Sequence, residues 1–115
     1  MRRGPEIHRI VRRHHRYLLD IRVVVKSGGT TLHGRTKNLA EGGMGATIAG
    51  EIPLRSIVEV QFRLPEYPDL VALRAEVRYR QGFQYGFFFI SVGEREAEAI
   101  RNAVRGLPIE EIDQT

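Results

Sequence analysis

A chain of 115 residues has room for one hydrophobic core and not for two. Apolar residues make up 42% of it and charged residues 28%, the balance of a globular domain rather than a disordered or fibrous chain. It has no cysteine, which excludes a disulfide-stapled fold, a thiol nucleophile and a Cys-based zinc site. No run approaches the ~18 apolar residues of a membrane span. The basic N-terminus lacks the apolar centre of a secretory signal, so a cytoplasmic location is expected.

Charge is unevenly spread. Residues 1–26 carry eight basic side chains (Arg2, Arg3, Arg9, Arg12, Arg13, Arg16, Arg22 and Lys26) against Glu6 and Asp20, a balance of +6. Residues 27–115 carry ten basic and twelve acidic side chains, a balance of −2, for the formal total of +4. Such an N-terminal arm is a footprint for an anionic partner: phosphate, nucleic acid, a lipid headgroup or an acidic protein. A solvated tail that only aids solubility has the same composition. Seven of the eight basic residues are Arg, whose planar fork suits bidentate contact with phosphate or a guanine edge.

Residues 1–10 hold Gly4 and Pro5 and no sustained periodicity, as a flexible lead-in would. From residue 17 the texture is β: Leu19, Ile21, Val23 and Val25 alternate with Leu18, Asp20, Arg22, Val24 and Lys26. Ser27, Gly28 and Gly29 signal a turn, and residues 30–37 read as the returning strand of a first hairpin. Residues 38–43, Asn-Leu-Ala-Glu-Gly-Gly, read as a loop whose paired glycines let a ligand or another backbone approach closely. Met44, Ala46 and Ile48 alternate as a short strand, and Pro53 closes the next turn. Residues 56–64 follow, with Val58, Val60, Phe62 and Leu64 on the apolar face, and residues 65–69 form a proline-marked connection. Residues 70–80 place Leu73, Ala75, Val77 and Tyr79 on one face and Arg74, Glu76, Arg78 and Arg80 on the other. After a turn at Gln81 and Gly82, residues 83–92 form the most apolar strand.

Only the end is helical. Ala97, Ile100, Ala103 and Val104 stand at helical spacing, Glu94, Glu96 and Glu98 near the positive end of the helix dipole, and Arg101 and Arg105 near the negative one. Gly106 and Pro108 stop the helix, and the tail from residue 109 reads as loose. The expected fold is mostly β: six antiparallel strands closed into a barrel, which removes exposed strand edges, with one C-terminal α-helix over an open end or side.

Little points to catalysis. His8, His14, His15 and His33 lack metal-ligand spacing, so no metal site is expected. Ser27, Ser56 and Ser91 stand outside any G-x-S-x-G elbow. Residues 38–45 are glycine-rich but lack the Lys-Ser/Thr of a P-loop. Glu59 and Glu76 lie on solvent-facing alternations, as ordinary surface charges do. A protein that is not an enzyme and carries no cofactor is the expectation.

Two features remain: Arg12-Arg13-His14-His15-Arg16 just before the first strand, and Asn38-Leu39-Ala40-Glu41-Gly42-Gly43 just after the second. Their order and placement on six strands plus a helix resemble the PilZ domain, the bacterial receptor module for the second messenger cyclic di-GMP. That family carries R-x-x-x-R at the start of the barrel and Asp/Asn-x-Ser-x-x-Gly after the second strand. Tyr85-Gly86-Phe87-Phe88-Phe89 is similar to its final strand. The resemblance implies a flexible arm at residues 1–11, the barrel domain with its helix at 12–107 and a tail at 108–115.

It also implies a site for cyclic di-GMP made by Arg12, Arg13, Arg16, Asn38, Ala40, Gly42 and Gly43. Arginines can take phosphate or the O6/N7 edge of guanine, or lie flat on a base. Asn38 offers a donor and an acceptor, and the glycines leave room for a base. Ala40 stands where the family has Ser, so one hydroxyl contact is missing. There is no Trp to stack beneath a guanine; Arg78 or Tyr79 can supply that contact, although the alternation of Tyr79 with Val77 favours the core. The partners expected are cyclic di-GMP and an unidentified effector protein. Two alternatives stand beside this: a PilZ-like protein adaptor that has lost the nucleotide, favoured by Ala40, and a general nucleic-acid binder, disfavoured by the lack of an aromatic stripe for base stacking.

Overall fold

The structure, a computed structural model, describes residues 15–110. The alternating segments form β1 (Tyr17–Leu18), β2 (Arg22–Ser27), β3 (Thr30–Ala40), β4 (Gly43–Ile48), β5 (Ile57–Phe62), β6 (Val71–Gln81) and β7 (Gln84–Phe89), followed by α1 (Glu94–Val104). Every strand pairing is antiparallel. Six strands run in the order β3-β2-β5-β6-β7-β4, and the pairing of β3 with β4 closes them into a barrel, with β1 as an extra strand on β3. The expected barrel with a single C-terminal helix is thus observed.

Its interior follows from the period of two. Val23, Val25, Val58, Val60, Phe62, Leu73, Ala75, Val77, Phe87 and Phe89 are buried along the barrel strands, and Ala99, Ile100 and Val104 bring the apolar stripe of α1 onto the same core. Each large apolar side chain so buried stabilises the fold by about 1.5–3 kcal/mol. Tyr85 is buried without leaving its phenol unpaired. The hydroxyl donates to the Gly50 carbonyl (2.9 Å) and accepts from the Ile52 N–H (3.0 Å). Arg101, in the last turn of α1, meets Glu41 at 3.0 Å and so ties the helix to the turn between β3 and β4.

Four local readings change. The alternating run from residue 17 is two strands, because β1 and β2 both pair with β3 while residues 19–21 leave the ladder. Thr36 repairs the break: its buried hydroxyl accepts from the Ile21 N–H and donates to the Leu19 carbonyl. Asn38, Leu39 and Ala40 belong to β3 and Gly43 to β4, so the expected loop shrinks to Glu41 and Gly42. Tyr79 is not in the core. The register of β6 against β7 shifts between Val77 and Tyr79, which turns Tyr79 outward to 49% exposure. Finally, the chain beyond the helix is held at Ile109, which bridges Tyr17, and at Glu110, whose N–H donates to the Arg16 carbonyl (2.7 Å).

Candidate functional site

The short pairing of β1 with the end of β3 decides where Arg16 lies. Tyr17 stands opposite Leu39 and Leu18 opposite Asn38, so the residue before β1 arrives at the corner where β3 turns into β4. There Arg16 Nη1 donates to Asn38 Oδ1 at 3.3 Å. Its Nη2 lies 3.0 Å from the point a Cβ on Gly43 would occupy. Two motifs separated in sequence therefore share one corner of the barrel.

Asn38 is 3% exposed and hydrogen-bonded at both ends of its amide. Oδ1 also accepts from the Gly45 N–H at 2.7 Å, and Nδ2 donates to Glu110 Oε1 at 2.8 Å. A buried side chain that must both accept and donate calls for an amide. Glycine at 43 has a packing cause. A Cβ there would overlap the Phe87 carbonyl oxygen of the neighbouring strand and press on Arg16. Gly43→Ala is accordingly expected to force β4 from β7 and cost about 1–3 kcal/mol, read as a lower midpoint in denaturant unfolding.

The strand registers extend this corner across the outer surface. One row runs Asn38, Gly45, Gly86, Tyr79; the next runs Ala40, Gly43, Phe88, Glu76. Gly45 and Gly86 have no side chains of their own, and those of Asn38 and Tyr79 reach across them: a Cβ on either glycine would meet Asn38 or Tyr79 at 3.0 Å. Phe88 is 42% exposed, and the Arg78 guanidinium sits 4.0 Å above its ring. Arg78 also donates to Glu76 at 2.9 Å, and that bond, with Arg55 at 3.6 Å, holds the Glu76 carboxyl below its ordinary range. Those pairs persist above the usual carboxylate pKa and are lost as pH falls through the lowered one. The corner thus has a glycine floor, cationic and amide groups on one side, and two aromatic rings with an arginine on the other.

Of the expected site residues, the structure brings Arg16, Asn38, Ala40 and Gly43 together. Ala40 is buried opposite Gly43, and its methyl offers no hydrogen bond. The Gly42 carbonyl accepts from the Phe89 N–H at 2.9 Å and anchors the turn to β7. Arg78 and Tyr79 lie across the floor from Asn38. Arg12 and Arg13 lie outside the described residues. Sequence reasoning missed Gly45, Phe88 and Glu110. Gly45 and Phe88 are legible only once the register pairs Gly43 with Phe88, and Glu110 stands 72 positions from Asn38. A separate open groove of about 880 Å³, lined by His33, Arg35, Thr47 and Phe83 among others, contains none of Arg16, Asn38 or Gly43.

A sequence profile of the PilZ domain matches residues 10–106. The chain belongs to the PilZ domain family. No curated protein sequence matches it significantly, but solved PilZ structures do. The PilZ domain of CeSA from a cellulose-synthesizing bacterium superimposes with a TM-score of 0.64 at 19% identity, covering 80% of this chain and 96% of that one. The PilZ domain of Escherichia coli YcgR, solved with cyclic di-GMP, gives 0.69 at 17% identity over 85% and 92%. The Bacillus subtilis inhibitor of motility, MotI/DgrA, gives 0.69 at 15% identity, and there this PilZ domain spans only half of the other chain (84% and 50%). At these identities the likeness is one of fold. PilZ domains are ligand-binding and adaptor modules. Among the described residues of this one, no helix is long and apolar enough to cross a membrane, and no three or more His, Asp or Glu cluster as metal ligands would.

Proposed function

We propose that this PilZ domain is a non-enzymatic receptor for cyclic di-GMP in the bacterial cytoplasm, and that the bound state is read by a partner protein. One observation carries the reading: Arg16 converges at one corner with Asn38 and Gly43, although the two motifs are separated in the chain. Cyclic di-GMP is an anionic ring carrying two flat guanines. Arg16 matches its phosphate or a guanine edge, Asn38 a base edge, and the glycine floor a base lying against backbone once the side chains that reach across it move aside. Arg12 and Arg13 complete the clamp as further cations for a phosphate or guanine edge. The absent Ala40 hydroxyl is worth about 0.5–1.5 kcal/mol, at most about tenfold in affinity, less than the charge-assisted contacts supply.

The outward turn of Tyr79 favours a stacking role for it, with Arg78 and Phe88 extending the surface. Tyr79→Ala is expected to weaken binding about fivefold or more, the scale of one base–aromatic stack. Calorimetric titration with cyclic di-GMP, against GTP and cyclic GMP as controls, tests the reading on the wild type and on Arg12→Ala. Saturable binding of the cyclic dinucleotide alone, weakened in the variant, is expected; silence at high micromolar ligand refutes it.

The buried methyl of Ala40 favours a second reading, an adaptor that binds protein without the nucleotide. Its signature is a partner that co-purifies with wild type and with Arg12→Ala alike, with no heat from cyclic di-GMP.

A further inference from the structure

We infer that Glu110 is an affinity-determining residue of this site: an internal carboxylate, delivered by the chain after α1, that competes with the incoming anionic ligand. This rests on the receptor reading above. Residues 108–110 lie along β1 as a short strap. The Leu18 N–H donates to the Pro108 carbonyl (2.8 Å), Tyr17 bridges Ile109, and the Glu110 N–H donates to the Arg16 carbonyl (2.7 Å). These bonds aim the Glu110 side chain back onto β3. Oε1 accepts from Asn38 Nδ2 at 2.8 Å, Oε2 lies 4.0 Å from Lys37 Nζ, and the side chain is only 17% exposed.

The consequence is electrostatic. Arg16 and Glu110 grip opposite ends of the same amide, so a phosphate drawn to Arg16 approaches a half-buried negative charge at short range. A guanine edge seeking the Asn38 amide finds one of its two N–H groups already held by a carboxylate, an acceptor about twice as strong as a neutral one. The strap and the arginine are also joined through the backbone, so a movement of Arg16 toward the ligand pulls on Glu110. Binding therefore displaces the carboxylate and loosens residues 108–110.

Titration of cyclic di-GMP into the full chain tests this with Glu110→Gln, which keeps an acceptor for Asn38 but removes the charge, and Glu110→Ala, which removes both. Both are expected to bind about three- to tenfold more tightly than wild type. In the wild type, the Glu110 amide should exchange with solvent faster once ligand saturates the protein, a readout independent of whether the variants fold. Unchanged or weaker affinity in both variants overturns the inference while the receptor reading stands, as does undiminished protection of that amide. If no form of the chain binds, the receptor reading and this inference fall together.

Discussion

Replacing Arg16 with Ala is expected to weaken cyclic di-GMP binding about 10- to 100-fold while leaving the barrel folded. The scale is that of a lost charge-assisted hydrogen bond, about 1.5–3 kcal/mol. The barrel survives because Arg16 precedes the first strand and its bond to Asn38 is a long one at 3.3 Å. Asn38 keeps its stronger bond to Gly45. Arg16→Lys separates charge from geometry. It retains the cation and loses the planar fork, so affinity should fall between wild type and alanine. Calorimetry gives the affinities and a thermal melt the folding control. Equal affinity in all three would exclude Arg16 from the site.

Asn38→Ala should damage stability as well as binding. Its Oδ1 is the acceptor for the Gly45 N–H inside the β3–β4 pairing, so alanine strands a buried donor and costs about 1–3 kcal/mol. For a domain of this size the melting temperature should fall by about 5–15 °C. Asn38→Asp is the informative control. Made in the Glu110→Gln background, it keeps the acceptor for Gly45 without setting a second carboxylate against the strap, so most of the stability should return. A melt in which aspartate is as damaging as alanine would move the cause away from the Gly45 hydrogen bond.

The fold was legible because a period of two is a strong signal wherever one face is buried. Val23, Val25, Val58, Val60 and Phe62 alternate cleanly, and those strands stand where alternation puts them. The readings that changed are those in which a local pattern met a long-range one. Residues 38–43 have loop composition, yet Asn38 is drawn into β3 because its side chain finds partners in β4, before β1 and after the helix. Tyr79 has the alternation of a core residue, but a one-residue register shift opposite Gly86 turns it outward, and no propensity foretells that. The meeting of Arg16, Asn38 and Gly43 at one corner was expected from the order of two motifs, and the structure brings them together. Glu110 was not expected there, because an acidic residue in a polar tail carries no periodic mark and its role exists only through pairing with β1.

The closed barrel also limits how another protein can engage this chain. Strand addition, in which a visiting peptide pairs its main chain with an open sheet margin, needs unsatisfied backbone groups in a row. Each of the six barrel strands already has a neighbour on both sides. The outer margin of β1 is likewise covered, by residues 108–110 from within the same molecule. A guest strand at β1 would have to evict them first, so a ligand that loosened Glu110 would also unmask this margin for such a guest.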